Sequence, residues 1–233
     1  MKIIGWIVYL IWIVCIPFLI ISSTVTVVSH SYQLYQYGFD KYQISKVTGI
    51  GKSQLDEVSR KMIEYYYGRS DSPQVTVTIK GKDMPVYSQK ELVHLADVRA
   101  IIQLFGLLQI ISMVLLFLSG LYLYLRSSIS RILKGLIIGA AATLAFTGIL
   151  VAWALIDFNS LFILFHIVSF NNNLWILDPA HDYLIMMFPE GFFNDAAVLL
   201  VTAILVEAGI ILTAAILIKN KLLGEMSGPV DSV

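Results

Sequence analysis

Two short segments hold the residue types that acid–base chemistry needs. The first, ELVHLADVR from Glu91 to Arg99, sets His94 and Asp97 three residues apart, so on a helix they share one face. The second, LFHIVSFNNNLWILDPAHDYLIMMFPEGFFND from Leu164 to Asp195, has no Lys or Arg yet carries His166, His181, three consecutive asparagines and seven aromatic residues. Carboxamides, carboxylates and imidazoles are costly to desolvate, so beside long apolar runs they mark a place where polar groups converge. Imidazole titrates near neutral pH, which suits a pair of histidines to moving protons. His94 and His166 are therefore the catalytic candidates. Asp97 is placed to orient His94, while Asn171, Asn172, Asn173, Asp178 and Asp182 are expected to surround His166 with donors and acceptors. Phe170, Trp175, Phe188, Phe192 and Phe193 supply the material for a dry wall around a lipid group, although some of these aromatics serve as an ordinary interfacial belt.

Other chemistries compete for the same residues. His94, His166, His181 and an acid are enough ligands for zinc, but no HExxH spacing gathers them, and no metal or other cofactor is expected. Ser169 follows His166 by three residues without a GxSxG elbow around it. The one cysteine, Cys15, lies inside an apolar run behind bulky Val14, which excludes a disulfide and a cysteine zinc site and leaves a core residue. His30 sits at the end of the first apolar run and reads as an interfacial residue. Glu207, deep in the last run, is expected to be a protonated, hydrogen-bonded structural acid.

The elements that must position these groups follow from composition. Of the 233 residues, 58% are hydrophobic and the mean hydropathy is +0.78, too apolar for a water-soluble domain of this length. Zero net charge supplies no global field for nucleic acid, and no such partner is expected. The chain reads as an α-helical integral membrane protein, four transmembrane helices with a small mixed α/β extracellular cap. Residues 1–28 form the first span, with Pro17 as a local kink. Residues 29–99 form the cap, 100–156 the second and third spans around a short cytoplasmic loop, and 157–195 an outer loop at the membrane boundary. A fourth span covers 196–221, and a disordered tail covers 222–233.

Within the cap, ten Lys or Arg stand against eight Asp or Glu. Ile50 to Tyr67 has the apolar spacing of an amphipathic helix, with Leu55, Val58, Met62, Ile63 and Tyr66 near one face. Gln74 to Lys80 alternates Val75, Val77 and Ile79 with threonines as a half-buried strand does, and Lys80-Gly81-Lys82-Asp83 turns the chain toward a second strand near Met84 to Tyr87. Ser88 and Glu91 have the spacing of a capping box, which starts the helix that carries His94. In the third span Gly135 and Gly139 form a GxxxG pair that lets another helix approach closely.

Lys2, Arg126, Arg131, Lys134, Lys219 and Lys221 all fall in segments on one side of this arrangement. The positive-inside rule then puts both termini in the cytoplasm and the cap and outer loop on the outer face of the membrane.

The two histidine segments, with the four apolar runs and early cap, closely resemble the bacterial lipoprotein intramolecular transacylases, the Lit family, along essentially the whole chain. The resemblance implies two catalytic histidines at the membrane boundary, His94 in ELVHLADV and His166 in LFHIVSFNN. It implies a substrate too: a diacylglyceryl-modified lipoprotein in the bacterial cytoplasmic membrane, whose sn-2 acyl chain moves to the amino group of its own N-terminal cysteine. The substrate's amine is then the nucleophile, and the enzyme supplies proximity and proton transfer. His94 beside Asp97 is the first choice for the general base and His166 for oxyanion stabilisation or leaving-group protonation, though the two roles can be exchanged. A metal-dependent membrane hydrolase and a non-catalytic membrane subunit remain alternative readings of the same residues.

Overall fold

In the computed structural model, which describes residues 3–226, four helices are long and apolar enough to cross a bilayer: α1 (Ile3–Ser29), α5 (Gln89–Arg126), α6 (Ile129–Ser169) and α8 (Glu190–Met226). At about 1.5 Å per residue the 27 residues of α1 span roughly 40 Å, more than the roughly 30 Å hydrocarbon core requires. Ile4, Trp6, Leu10, Phe117, Ile149 and Ile210 all stand more than half exposed on these helices, a surface that only lipid can cover at low cost. The protein is a multi-pass membrane protein.

The chain divides into two compact units. One comprises the residues up to Thr24, Leu107–Ala152 and the residues from Val201 onward. Its core gathers Ile16 and Ile20 of α1 around Ile204 and Ala208 of α8. The glycine pair of α6 faces α1. A Cβ on Gly139 would lie 2.9 Å from the Ile13 carbonyl oxygen, and one on Gly135 would enter the Trp12 ring, whose Nε1 donates to the Ile132 carbonyl at 3.1 Å. Cys15 is buried in this unit. Glu207 Oε1 lies 3.4 Å from Thr24 Oγ1, a polar contact between α8 and α1.

The other unit, Val25–Gly106 with Trp153–Leu200, holds the cap and every candidate site residue. It contains α2 (Tyr32–Lys41), α3 (Ile44–Thr48), α4 (Lys52–Tyr66), the hairpin β1 (Thr76–Ile79) and β2 (Lys82–Pro85), and α7 (Tyr183–Met187). Helix α4 buries Leu55, Val58, Met62 and Tyr66 of the face expected from the sequence, together with Tyr65, while Ile63 is only half-buried. The strands pair antiparallel, Val77 with Met84 and Ile79 with Lys82. Lys80 and Gly81 both take positive φ, 52° and 77°, as the two-residue hairpin turn requires. Val77 is wholly buried and Thr76 and Thr78 face out, so the alternation selects the inner face.

The stretch expected as an outer loop is largely helical at both ends. Helix α6 breaks at Asp157 (φ −156°, ψ 89°), and the chain re-enters a helix because Asp157 Oδ1 accepts the Ser160 amide at 3.0 Å, capping the new first turn. The second segment then runs to Ser169 and carries His166. At the other end α8 begins at Glu190, directly after Pro189, six residues ahead of the expected span, and it continues to Met226 through part of the expected tail. The rest of that tail, residues 227–233, lies outside the described residues.

Candidate active site

Helix α5 opens on the capping box anticipated from the sequence. Glu91 Oε2 accepts the Ser88 amide at 2.6 Å, and Ser88 Oγ lies 3.4 Å from the Glu91 amide that donates to it. The first turns carry Lys90, Glu91, His94, Asp97 and Arg99, and the apolar span begins only after them, so His94 stands outside the hydrocarbon-crossing segment. His166 belongs to the α6 segment beyond the Asp157 break, outside the expected third span.

The fold brings these two together from 72 residues apart. Their rings stack at 30° with centroids 6.3 Å apart, and both residues are buried, at 7% and 8% exposure. Both line a cavity of about 380 Å³ whose other walls are overwhelmingly apolar. Phe170, Trp175, Phe188, Phe192 and Phe193 all line it. Phe170 meets His94 edge-on at 5.1 Å, and Trp175 lies over His166 at 4.9 Å. The site is a largely apolar, aromatic-walled chamber with two imidazoles in it.

His166 Nδ1 lies 2.7 Å from the Phe162 carbonyl oxygen, one turn back on its own helix. A carbonyl only accepts, so Nδ1 carries the proton and the Nε2 lone pair is left available. His94 is held differently: its Nδ1 is buried without a hydrogen-bond partner. Burial, and secondarily the neighbouring His166, push His94 down from histidine's usual 6.5 to about 4, and the Asp97 carboxylate only partly opposes this. Burial lowers His166 as well, while its bond to the Phe162 carbonyl acts in the opposite direction. Both rings are neutral at neutral pH, and His166 is the one whose charged form has a fixed acceptor.

The polar residues expected around the histidines have a different task. Asp97 makes no hydrogen bond to His94; its Oδ2 accepts Asn172 Nδ2 at 2.9 Å, tying α5 to the segment after α6. Asn171 and Asn173 are exposed and line no part of the cavity. Asp178 is exposed and accepts the Ala180 amide and His181 Nδ1, both within the 178–182 turn. Asp182 Oδ2 accepts the Asp178 amide at 2.8 Å and sits 3.5 Å from Lys90 Nζ. These bonds shape and fasten the segment, and the immediate surroundings of His166 are aromatic. Among the described residues, no three His, Cys, Asp or Glu side chains are arranged to hold a metal ion. Ser169 ends α6 and does not line the cavity. His30 lies elsewhere in the unit, stacked on Tyr67 at 3.8 Å with Nδ1 against the Thr26 carbonyl.

Sequence reasoning missed several contributors. Phe162 carries the carbonyl that sets the His166 tautomer, and its own ring packs 4.3 Å from the imidazole. Tyr35 and Tyr66 of the cap also line the cavity. Tyr35 is 6% exposed with its hydroxyl donating to the Ser29 carbonyl.

A protein-family model described as lipoprotein intramolecular transacylase Lit matches residues 10–193. Among solved structures, that of the membrane integral lipoprotein intramolecular transacylase Lit from Bacillus cereus superposes with a TM-score of 0.80 at 23% identity, covering 96% of this chain and 100% of that one. Two variants of the same protein, with a histidine replaced by arginine and by alanine, superpose at 0.74, again at 23% identity. They cover 95% and 94% of this chain and 95% and 96% of theirs. No curated protein sequence matches significantly. With the family model spanning most of its length, this chain belongs to the lipoprotein intramolecular transacylase family and is a membrane acyltransferase.

Proposed function

We propose that His94 and His166 perform an intramolecular O-to-N acyl transfer on diacylglyceryl-modified lipoproteins, at the outer face of the membrane and among membrane lipid. The observation that carries this reading is the pair itself: two buried, neutral imidazoles stacked in an apolar chamber, one with its tautomer set and one with an unpartnered nitrogen. The free amine of the substrate's N-terminal cysteine attacks the carbonyl carbon of its own sn-2 ester. His166 Nε2 takes the proton from the attacking nitrogen, because its lone pair is free and its cation keeps the Phe162 carbonyl as acceptor. The geometry thus favours the exchanged order of roles. His94, held near 4, is a poor base but a sound neutral N–H donor, and it stabilises the developing oxyanion. When the tetrahedral adduct collapses, the bond to the glyceryl oxygen breaks and that oxygen takes the proton from His166. An amide on the cysteine and a free sn-2 hydroxyl result, with no net gain or loss of protons.

The chamber suits this reaction because its walls accept an acyl chain and exclude the water that would hydrolyse the ester. The orientation rests on the placement of Lys2, Arg126, Arg131, Lys134, Lys219 and Lys221. Mass spectrometry of lipoprotein N-termini, after incubating purified full-length protein with a diacylglyceryl lipopeptide bearing a free N-terminus, tests the reading. The expected product has unchanged mass, one amide-linked chain and one remaining ester. A free fatty acid with loss of the chain's mass identifies a hydrolase instead.

A further inference from the structure

Glu91 is 1% exposed, and among the described residues no cation pairs with it. A carboxylate in such a place is costly unless its oxygens are hydrogen-bonded. Both are. Oε2 accepts the Ser88 amide at 2.6 Å and closes the capping box, while Oε1 accepts the Leu184 amide at 2.6 Å, from a residue 93 positions further along the chain. Charge-assisted bonds from a carboxylate to main-chain N–H groups are the strong class. Leu184 lies in the first turn of α7, and Leu184, Ile185 and Phe188 line the chamber; one turn beyond Glu91, α5 contributes His94 and Leu95 to the same chamber. One buried side chain therefore binds the wall that carries His94 to the wall that carries Phe188.

At the rim the same segment is held more loosely. Lys90 Nζ donates to the Ile176 carbonyl at 2.6 Å and lies 3.5 Å from Asp182, and Asp97 accepts Asn172. Both rim fastenings reach solvent, and Glu91 alone of the three is sealed in the core.

We propose that Glu91 is a positioning residue: its carboxylate fastens the 170–188 segment onto α5 and thereby keeps bulk water away from His94 and His166. This rests on the proposed role of the histidine pair, but its test does not depend on turnover. A glutamine at position 91 has one acceptor oxygen for two main-chain donors, and its amide group would face an N–H. One of the two bonds is lost, the segment loosens and water reaches the imidazoles.

The direction of the resulting change separates this account from a purely electrostatic one. Removing a negative charge would lower the basicity of a nearby histidine, whereas admitting water to one depressed mainly by burial raises it. The titratable groups that remain around His94 are His166 on α6 and Asp97 on α5, which act on its charge, and Tyr35 of α2 and Tyr66 of α4, which line the same chamber. None is altered by the substitution.

The experiment is an NMR titration of the full-length protein in lipid nanodiscs with ¹⁵N-labelled histidine, the His94 signals being assigned by their loss in His94→Gln. Wild-type His94 is expected to titrate near 4. Glu91→Gln should move it upward by one unit or more and lower kcat about a hundredfold, the scale of a small misplacement remote from the chemistry. Glu91→Asp, which keeps two acceptors on a shorter stem, should recover part of both. Gly139→Ala serves as a control that loses thermal stability in the other unit. If His94 stays in place or moves downward in both Glu91 variants while stability falls, Glu91 is a structural acid and the proposal is wrong. Should Glu91→Gln not fold, the same two outcomes in Glu91→Asp decide it. Retained turnover in His94→Ala and His166→Ala would remove the catalytic reading and leave the titration result standing.

Discussion

Replacing each histidine by glutamine should separate their roles. Glutamine keeps a neutral N–H donor at about the reach of imidazole and cannot take up a proton. With His94 near 4, only about one molecule in a thousand carries imidazolium there at pH 7, so general-acid use of His94 would forfeit roughly 4 kcal/mol. The role proposed for it is therefore that of a neutral donor to the oxyanion. Removing such a donor costs about 10²–10³ in rate, or roughly 3–4 kcal/mol. His94→Ala should show that loss, and His94→Gln should recover about a tenfold part of it. His166 must accept and return a proton, so His166→Gln should fall as far as His166→Ala, by about 10²–10⁴. The assay is initial-rate formation of the N-acyl lipopeptide, followed by mass spectrometry at substrate concentrations that give kcat and KM separately. The acid limb of the wild-type profile should persist in His94→Gln, since neither the substrate amine nor His166 has changed. A His166→Gln enzyme more active than His94→Gln would refute the assignment and restore His94 as the base.

Lowering the pH should destabilise the protein through the same group. His94 binds its proton more weakly folded, near 4, than unfolded, near 6.5, so the unfolded state takes up more protons between these values. Stability should decline as pH falls from about 6.5 to about 4 and level off below, and His94→Gln should flatten part of that slope in a thermal-unfolding series in detergent. In a crossover experiment, a lipopeptide with isotopically heavy sn-2 chains is mixed with a light one and light phospholipid. Heavy amides should appear only on molecules that began heavy, and Ser169→Ala should turn over normally; a trapped acyl-Ser169 would establish an acyl-enzyme instead. Cysteines introduced at Ser72 and Ser128 should divide by side, an impermeant reagent added outside labelling position 72 and sparing 128. The reverse pattern would invert the topology and place the site inside.

How much of this was legible in the sequence depended on how local each interaction is. The capping box at Ser88 and Glu91, the periodic face of α4 and the alternation of Val75, Val77 and Ile79 involve neighbours within a turn or a pleat, and all three appear where their spacing puts them. The helical resumption after Asp157 was also a local signal, an acid three residues ahead of Ser160, but apolar runs on both sides hid it. What spacing does not encode is the partner of a polar group. Asp97 is correctly on the face of His94, yet its carboxylate is taken by Asn172, 75 residues away, and the two flanking asparagines point to solvent. Only the fold decides which of three adjacent carboxamides turns inward.

The same limit bears on the proposed division of labour between the histidines. From sequence, an acid three residues from His94 argues for a charged, basic imidazole, because proximity along a helix is all that can be seen. In the folded chamber, burial and the second ring outweigh that acid, and a backbone carbonyl one turn from His166, which no residue type announces, supports the other imidazole. Desolvation scales with everything that surrounds a group, whereas a single partner acts at one point, so a wall of Phe170, Trp175 and Phe162 can set protonation more strongly than one nearby carboxylate. A transacylase that must exclude water from an ester while using imidazole as its base meets this conflict directly. The drier the chamber, the weaker the base it contains. Here the Phe162 carbonyl opposes that penalty at His166, whereas His94 Nδ1 has no such partner, and the proposed roles of the two rings follow from that difference.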